Sequence, residues 1–208
     1  MTHIIDYGVG NLFSLRSSFA KIGEETVLCA DPEGLREAER ILLPGVGAFS
    51  NAAARLRSSG MADALTDRVR AGTPVLGICL GMQLLFDRSF EYGEHPGLGL
   101  IPGEIRPLAP LVDGLKVPHM GWNALCLTRP EHPLLQNVRA GDCVYFVHSY
   151  AAFDCDPSVI ATAEYGIPVT ASVAYKNVLG CQFHPEKSGS VGLGILRAFC
   201  ALKEGDLC

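Results

Sequence analysis

The sequence has few of the features that mark membrane, secreted or metal-binding proteins. No run of apolar residues reaches about 18 positions, the length that a membrane-spanning helix needs. Asp6 lies where a secretory signal peptide would have its apolar segment. The eight cysteines include no Cys-x-x-Cys pair, which argues against a zinc site and against a disulfide scaffold. We therefore expect a protein of the reducing cytoplasm that binds no metal and needs no cofactor.

Excess positive charge is absent as well. Lysine and arginine number 17 against 22 aspartates and glutamates, which gives a net charge of −5, and no basic stripe is visible. We therefore expect no binding to nucleic acid and no membrane association, and a small-molecule substrate or a protein partner is favoured. A chain of 208 residues that is 48% hydrophobic can bury one sizeable core. Because no linker or repeat is visible, we predict a single domain over residues 1–208.

The stretch from 73 to 86 carries the clearest chemical signal. Residues 73–78 form a short apolar run typical of a buried strand, and a helix is predicted to begin at once and to cover 79–86. Cys79 lies on the turn between them, flanked by Gly77 and Gly81 at the spacing of a nucleophile elbow. A helix N-terminus favours the thiolate form of a cysteine. A buried structural cysteine is the alternative, which the paired glycines make less favourable.

A nucleophilic cysteine needs a base, and six histidines compete for that role. His184 directly follows a strand predicted at 178–183, and Glu186 stands two residues further on. If the backbone stays extended, both side chains project to the same side, so that the carboxylate can fix the imidazole tautomer. The alternative is a surface turn after a strand. We predict the catalytic group Cys79, His184 and Glu186.

The order of the predicted elements indicates an α/β fold. Strands predicted at 2–6, 26–29, 41–43 and 73–78 alternate with helical segments that start near Leu12 and at 49–71, the latter broken at 58–60. The Gly-x-Gly turn at 8–10 does not continue into the dinucleotide-binding fingerprint Gly-x-Gly-x-x-Gly, because Phe13 occupies the position of its third glycine. Further strands are predicted at 144–148, 169–173 and 178–183, and a final helix at 190–202. We predict a mostly parallel central sheet with helices on both faces and antiparallel additions at its edge after Gly93.

Two of these motifs together resemble a known family. Gly-Ile-Cys-Leu-Gly-Met-Gln at 77–83 and Phe-His-Pro-Glu at 183–186 are similar to the paired signature of the class I, triad-type glutamine amidotransferases. Within that family, the motifs at 44–47, 118–123, 145–150 and 184–188 resemble the glutaminase subunits of imidazole glycerol phosphate synthases. The resemblance runs from Asp6 to near the C-terminus. It implies a flavodoxin-like fold and hydrolysis of glutamine to glutamate and ammonia through a cysteinyl thioester.

The helix after Cys79 supplies two further candidate residues. The backbone N–H of Leu80 lies where an oxyanion would form, and the resemblance adds the backbone of Val46 as the second donor. Gln83 lies one helical turn after Cys79, so its amide could reach the α-carboxylate or amino group of glutamine, with a solvated surface position as the alternative. The remaining glutamine-binding positions implied by the resemblance are Gly47, Glu91, His148, Ser149 and Tyr150. For the contact to the ammonium group, Glu94 stands as an alternative to Glu91.

The resemblance also implies a protein partner. That partner is a separate (β/α)8-barrel cyclase, which receives the ammonia and makes imidazole glycerol phosphate and aminoimidazole carboxamide ribotide in histidine biosynthesis. Trp122 is the only tryptophan, and it is predicted either as a core anchor or as an interface residue, with the resemblance favouring the interface. The predicted interface residues are Asn11, His119, Met120, Gly121, Trp122, Asn123 and Lys187.

Other functions fit parts of this pattern. A cysteine peptidase could use the same elbow and Cys-His pair, and an inactive binding subunit could keep the fold for assembly alone. Among amidotransferases, the alternative is a glutaminase that serves another synthase, which the motif at 118–123 and Lys187 argue against.

Overall fold

The structure is a computed structural model that describes residues 1–203. The thirteen strands of this described part are β1 (Thr2–Ile5), β2 (Thr26–Cys29), β3 (Arg40–Leu43), β4 (Val75–Ile78), β5 (Phe86–Ser89), β6 (His95–Pro96), β7 (Ile101–Pro107), β8 (His119–Leu127), β9 (Cys143–His148), β10 (Tyr150–Phe153), β11 (Val159–Glu164), β12 (Pro168–Tyr175) and β13 (Val178–Cys181). Nine of them form one sheet in the order β2-β1-β3-β4-β13-β12-β11-β8-β9. The other four form a second sheet in the order β10-β7-β5-β6.

One half of the large sheet is parallel. Strands β2, β1, β3, β4 and β13 all run in the same direction. Every residue of β3 and β4 is buried, as expected for strands that are covered on both faces and read as continuous apolar runs. The register aligns Leu43 of β3 with Gly77 of β4, and Gly77 with Gly180 of β13. The loops that follow these three strands therefore leave the sheet at the same edge, where a site can be assembled.

Five α-helices are described, and they cover both faces of the parallel half. They are α1 (Leu12–Lys21), α2 (Phe49–Ser58), α3 (Met61–Arg70), α4 (Leu80–Leu84) and α5 (Gly189–Ala201). On one face, Phe19 of α1 and Phe199 of α5 join the core cluster. On the other face, a second cluster contains residues of α2, α3 and α4, such as Leu56 and Leu65. Within residues 1–203, no helix combines the length and the apolar character needed to cross a bilayer.

The second half of the large sheet is antiparallel. Strand β12 pairs with β13, and β11, β8 and β9 continue the same sheet outward. The small sheet is mixed, because β5 and β7 are parallel while its other pairs are antiparallel. The predicted fold class, an α/β sheet covered on both faces with antiparallel additions, is confirmed. The additions are as extensive as the parallel part, which the short predicted strands after Gly93 did not indicate.

The helix predicted at 79–86 is shorter than expected. It ends at Leu84, and Phe86 begins β5 instead. The carbonyl of Leu84 accepts a hydrogen bond from the N–H of Leu98, and that of Leu85 accepts from Leu100, so neither continues a helical ladder. Phe86 is fully buried and pairs with Ile101 of β7. The apolar run of residues 79–86 therefore changes from helix to strand at Phe86, because the backbone of residues 98–101 supplies its hydrogen-bond partners.

Candidate functional site

Cys79 lies at the sharp turn between β4 and α4. Its φ of 53° is in the left-handed region, which non-glycine residues seldom adopt and which is typical of strained functional turns. A Cβ atom on Gly77 would lie 2.6 Å from Met82 Cα, and one on Gly81 would lie 1.9 Å from the carbonyl oxygen of Leu43. Both elbow positions therefore require glycine. The turn places the Cys79 side chain at a cleft at the edge of the sheet.

The pairing of β4 with β13 brings the predicted base to this turn. Ile78 is aligned with Cys181, and the N–H of Cys79 donates to the Cys181 carbonyl at 2.8 Å. His184 follows β13 and borders the same cleft. Its Nδ1 lies 2.8 Å from Oε1 of Glu186, and both side chains are buried. The structure thus brings together all three predicted catalytic side chains.

The backbone between His184 and Glu186 differs from the extended path expected from the sequence. Residues Pro185–Lys187 form a short 3-10 turn, which is closed by a hydrogen bond from the N–H of Lys187 to the carbonyl of His184. Glu186 therefore meets the imidazole because the chain folds back, rather than because alternate residues of a strand point the same way. Proline at the first position of the turn fixes its φ and favours this geometry.

The environment of His184 favours its protonated form. Burial lowers the pKa of His184, but hydrogen bonds to Cys79 and Glu186 outweigh burial and raise the pKa to about 9. The raised pKa favours an imidazole that carries a proton on each nitrogen. Nδ1 donates to the Glu186 carboxylate, which leaves Nε2 to act toward the sulfur.

The two predicted oxyanion donors border the cleft beside Cys79. A Cβ atom on Gly45 would lie 2.7 Å from the backbone nitrogen of Gly81, so the loop after β3 packs directly on the first turn of α4. This contact places the backbones of Val46 and Leu80 on the same wall of the cleft, together with Gly47.

The cleft has a volume of about 500 Å³ and contains every predicted glutamine-binding position. It is lined by Val46, Gly47, Cys79, Leu80, Gln83, Glu91, Tyr92, Pro107, Ala109, Val117, Pro118, Val147, His148, Ser149, Tyr150 and His184. Glu91 accepts a hydrogen bond from the N–H of Phe49, the first residue of α2. Glu94 instead pairs with Arg88 at 3.0 Å, outside the cleft. The geometry therefore favours Glu91 over Glu94 as the acidic contact.

Gln83 is buried, so the solvated alternative for this residue is wrong. Its Nε2 donates to the carbonyl of Tyr150 at 3.0 Å and to Oε1 of Gln182 at 2.9 Å. Both N–H groups of the amide are therefore used within the protein. Only Oε1 of Gln83 is left for a substrate, which narrows the predicted contact to the amino group of glutamine.

His148 is a buried residue of the wall of the cleft. Its Nδ1 lies 2.8 Å from the carbonyl oxygen of Tyr150, and its Nε2 lies 3.0 Å from Nδ1 of His119. Burial lowers the pKa of His148 to about 3, although the hydrogen bond to Tyr150 opposes this shift. A neutral His148 donates through Nδ1 to the carbonyl, so it holds the turn that carries Ser149.

His119 lies in the interior, although the sequence predicted it at the partner surface. It is fully buried, and its ring stacks between Phe146 and Tyr165, with centroids at 4.7 and 4.0 Å. Its Nε2 lies 2.8 Å from Oδ1 of Asn123. Strand alternation explains the difference, because Met120 and Trp122 of β8 point to the other side.

Among residues 1–203, no three histidine, cysteine or acidic side chains are grouped to hold a metal ion.

The exposed side of β8 carries two of the predicted interface residues, Met120 and Trp122. Met120 is 63% exposed and Trp122 is 55% exposed, so the core-anchor alternative for Trp122 is wrong. The Trp122 ring meets Tyr145 of β9 edge-on at 6.0 Å, and Lys187 Nζ lies 5.6 Å from the centre of the Tyr145 ring. We call Met120, Trp122, Tyr145 and Lys187 the tryptophan face. Gly121 and Asn123 lie on the opposite side of the same strand, with His119, and the Asn123 amide also donates to the carbonyl of Glu164 at 3.2 Å. Asn11 caps α1 at the other half of the sheet.

One polar residue at the nucleophile was not singled out from the sequence. Gln182 is fully buried, and its Nε2 donates toward Cys79 Sγ at 3.8 Å. The carbonyl of Val147 lies 3.9 Å from the same sulfur. The only sequence signal for Gln182 was a lone amide at the end of the apolar run before His184.

The chain is similar along most of its length to proteins named imidazole glycerol phosphate synthase subunit HisH. It is 46% identical to that of Lactococcus lactis subsp. lactis (strain IL1403), over 94% of this chain and 96% of the relative. It is 47% identical to that of Salinibacter ruber (strain DSM 13855 / M31), over 97% of this chain and 94% of the relative. It is 48% identical to that of Geobacillus sp. (strain WCH70), over 99% of this chain and 98% of the relative.

Solved structures share the fold at much lower identity. One, described as a crystal structure of glutamine amidotransferase, has a TM-score of 0.74 and 20% identity and covers 96% of this chain and 99% of its own. The structure of PurLQS from Thermotoga maritima has a TM-score of 0.74 and 19% identity, with 96% of each chain covered. Residues 3–201 match the family described as Glutamine amidotransferase class-I. Because that match extends from β1 through both sides of the cleft to the last residue of α5, the chain belongs to the class I glutamine amidotransferase family.

Proposed function

We propose that the chain is the glutamine-hydrolysing subunit of an imidazole glycerol phosphate synthase and acts in histidine biosynthesis. The observation that carries this proposal is the 46–48% identity to HisH subunits over nearly the full length of both chains. The cleft supports it independently, because a cysteine, a protonated histidine and a buried carboxylate converge there. This is an arrangement that supports nucleophilic acyl transfer from an amide.

In the proposed first half-reaction, the Cys79 thiol gives its proton to Nε2 of His184, and the sulfur attacks the side-chain amide carbon of glutamine. A C–S bond forms, and the carbonyl oxygen becomes an oxyanion near the backbone N–H groups of Leu80 and Val46. His184 then transfers the proton on Nε2 to the amide nitrogen. The C–N bond breaks, ammonia leaves, and the glutamyl thioester remains.

In the proposed second half-reaction, water attacks the thioester carbon while the now neutral His184 accepts a proton from it. The C–S bond breaks, its electron pair returns to sulfur, and glutamate is released. Glu186 holds the imidazole orientation through both steps, because its carboxylate accepts the Nδ1–H at 2.8 Å. Gly47, Gln83, Glu91 and the backbone of His148, Ser149 and Tyr150 are the proposed binding positions for the α-carboxylate and ammonium groups of the substrate, in line with their places around the cleft.

The proposed partner is a (β/α)8-barrel cyclase, with which the chain forms a heterodimer. The tryptophan face supports a protein contact, since exposed Trp and Met side chains are enriched at interfaces and are uncommon on free surfaces. Within the complex, which acts as a lyase, ammonia passes to the cyclase for synthesis of imidazole glycerol phosphate. We also propose a reducing cytoplasm as the location, because all seven cysteines of the described residues are free.

A coupled assay tests this proposal. The chain is mixed with the barrel cyclase and its ribotide substrate, and glutamate and imidazole glycerol phosphate are measured together. We expect equimolar formation of both, and we expect Cys79→Ser to abolish both while supplied ammonia restores the cyclase product. An electrophilic glutamine analogue should label Cys79 alone among the cysteines. Release of ammonia without any imidazole glycerol phosphate would indicate a glutaminase of another synthase. Cleavage of casein would indicate a peptidase.

A further inference from the structure

Gln182 connects the sulfur of the proposed nucleophile to a buried row of amides. Its Nε2 lies 3.8 Å from Cys79 Sγ, and its Oε1 accepts a hydrogen bond from Gln83 at 2.9 Å. Gln83 in turn donates to the carbonyl of Tyr150 at 3.0 Å. The same carbonyl faces His148 Nδ1 at 2.8 Å. The row therefore runs without a gap from a backbone carbonyl on β10 to the sulfur.

The carbonyl of Tyr150 fixes the direction of these hydrogen bonds. The Tyr150 carbonyl can only accept, so Gln83 must turn its Nε2 toward it, and the second N–H of that nitrogen then points at Gln182. Gln182 must therefore present its oxygen to Gln83 and its nitrogen to Cys79. The opposite orientation of Gln182 would place two N–H groups against each other. The amide N–H at the sulfur is thus a consequence of the neighbouring geometry.

Because Gln182 is buried, its side-chain N–H needs a hydrogen-bond acceptor. Gln182 is completely inaccessible to solvent, so an unpaired N–H there would carry the full cost of desolvation. A neutral thiol is a weak acceptor, whereas an anionic sulfur is a strong one, because hydrogen bonds to charged groups are about twice as strong as neutral ones. A buried donor at this distance therefore favours the anionic form of its acceptor. The His184 imidazolium acts in the same direction, whereas the Val147 carbonyl, 3.9 Å from the sulfur, favours the thiol.

We propose that Gln182 is a catalytic residue, whose side-chain N–H donates to the Cys79 sulfur and stabilises it as a thiolate. The stabilisation acts twice, before the sulfur attacks the amide carbon and again when the C–S bond of the thioester breaks and its electron pair returns to sulfur. Gln83 is a positioning residue that holds the Gln182 amide in this orientation. The inference rests on the proposed function, since it takes Cys79 as the nucleophile of glutamine hydrolysis.

Alkylation of Cys79 by iodoacetamide tests the inference without glutamine or a partner. The rate is measured as a function of pH by peptide-resolved mass spectrometry, with the exposed Cys126 and Cys143 as internal references. Gln182→Met removes the donor at similar volume, and Gln182→Glu replaces it by an acceptor. Gln136→Glu, on an exposed turn, is the matched control for the added charge. Circular dichroism checks that each variant is folded.

We expect the pH midpoint of Cys79 alkylation to rise by about one unit in Gln182→Met, since a charged hydrogen bond is equivalent to roughly a tenfold change or more. Gln182→Glu should raise it further, while Gln136→Glu should leave it unchanged. An unshifted midpoint in folded Gln182→Met overturns the inference, as does an equal shift in Gln136→Glu. Neither result affects the proposed function, which fails instead if the wild-type chain forms no glutamate with the cyclase and its substrate.

Discussion

At the scale of single residues, the proposed reaction depends on one proton shared within the group of Cys79, His184 and Glu186. The raised pKa of His184 favours this proton on the imidazole, from which the proposed mechanism passes it to the leaving ammonia. Glu186 contributes by orientation and charge, and its second carboxylate oxygen is buried without a hydrogen-bond partner among the described residues. The two residues should therefore respond differently to substitution.

His184→Ala removes the proton donor and should lower glutamine hydrolysis by about 10²–10⁴-fold. Glu186→Gln keeps an acceptor for Nδ1 and removes only the charge, so we expect a smaller loss. Steady-state glutamate formation in the presence of the cyclase measures both, with circular dichroism as the control for folding. Equal or reversed losses in folded variants would mean that the carboxylate has another principal role.

His184 and His148 make opposite contributions to the pH dependence of the free energy of unfolding. For His184, the folded pKa of about 9 lies above the unfolded value of about 6.5, so its contribution is fully present below about pH 6.5 and is lost toward pH 9. For His148, the folded pKa of about 3 lies below the unfolded value, so stability is lost as the pH falls from about 6.5 toward 3. Both shifts arise at buried side chains.

His148→Gln should reduce the loss of stability in acid. Between about pH 6 and pH 4.5, the unfolded wild-type chain binds one proton at His148 that the folded chain does not, which is a slope of about 1.4 kcal/mol per pH unit. Urea unfolding at several pH values measures this slope. Because His119 contacts His148 and also has a pKa lowered by burial, only the difference between variant and wild type is informative. His95→Gln controls for the substitution itself. An identical slope in His148→Gln would show that His148 is not buried in its neutral form.

The site residues differ in how far the sequence could predict them. The grouping of Cys79, His184 and Glu186 could be predicted because each lies in a short motif whose chemistry can be read locally. The inward position of Gln83, the burial of His119 and the contact of Gln182 with the sulfur were not, because each depends on a strand pairing between distant segments. Alternation along β8 could have indicated that His119 faces away from Met120, had the strand boundaries been known.

At the scale of elements, helix α5 fixes the turn that carries Glu186. A Cβ atom on Gly192 would lie 1.9 Å from the carbonyl oxygen of Pro185 and 2.9 Å from its Cα, so the helix and the turn are in backbone contact. For Gly194, on the same helix, the atom nearest to an added Cβ is Asn137 Cβ, at 3.2 Å. The two glycines form a natural pair for testing this contact.

Gly192→Ala should destabilise the fold by about 2–3 kcal/mol, because the backbone of the turn must move, and it should also lower glutamine hydrolysis. Gly194→Ala should change the free energy of unfolding by less than about 1 kcal/mol, since a small shift of Asn137 is offset by the better helix propensity of alanine. Denaturant unfolding and the coupled assay measure the two effects. Equal behaviour of both variants would contradict a role for close packing at Gly192.

The predicted elements were most accurate where local signals were complete. The helices at 49–71 do break before Met61, and Gly60 has the positive φ of 76° that such a junction favours. The helix at 79–86 was predicted too long because the apolar run has no proline or glycine at its end. Its termination at Leu84 is imposed by residues 98–101, which no local pattern in the run reveals.

At the scale of the whole molecule, the tryptophan face lies at the antiparallel end of the large sheet, next to the cleft. Trp122→Ala should change the free energy of unfolding by less than about 1 kcal/mol, because the ring is 55% exposed and its main contact is one edge-on pair with Tyr145. Affinity for the cyclase should fall by about 2 kcal/mol or more, as for a hot-spot aromatic. Titration calorimetry and thermal unfolding measure the two quantities.

A matched control separates this effect from loss of apolar surface in general. Val27 is a partly exposed apolar residue of β2, at the opposite edge of the sheet, and Val27→Ala should leave affinity unchanged. In Trp122→Ala, synthesis from supplied ammonia should be retained while synthesis from glutamine falls. Equal affinity of wild type and Trp122→Ala would place the partner elsewhere around the cleft.

The alternation of strands and helices was sufficient to predict the fold class, which depends on layer architecture. The order of strands was not predictable, because β13 inserts beside β4 and connects the parallel half to the antiparallel half. The single-domain prediction stays a prediction. Coincident unfolding transitions of Trp122 fluorescence and far-ultraviolet circular dichroism would support it.

The central pairing of β4 with β13 also affects how the protein matures during synthesis. Gln182 lies 103 positions after Cys79, and His184 follows it, so the proposed nucleophile emerges from the ribosome long before its proposed base. Until β13 is available, β4 has an unpaired apolar edge, which is a site for aggregation in a nascent chain. The cleft assembles only through this late, non-local contact. We therefore expect that a chain truncated before β13 cannot hydrolyse glutamine, because it lacks both the pairing that builds the cleft and His184.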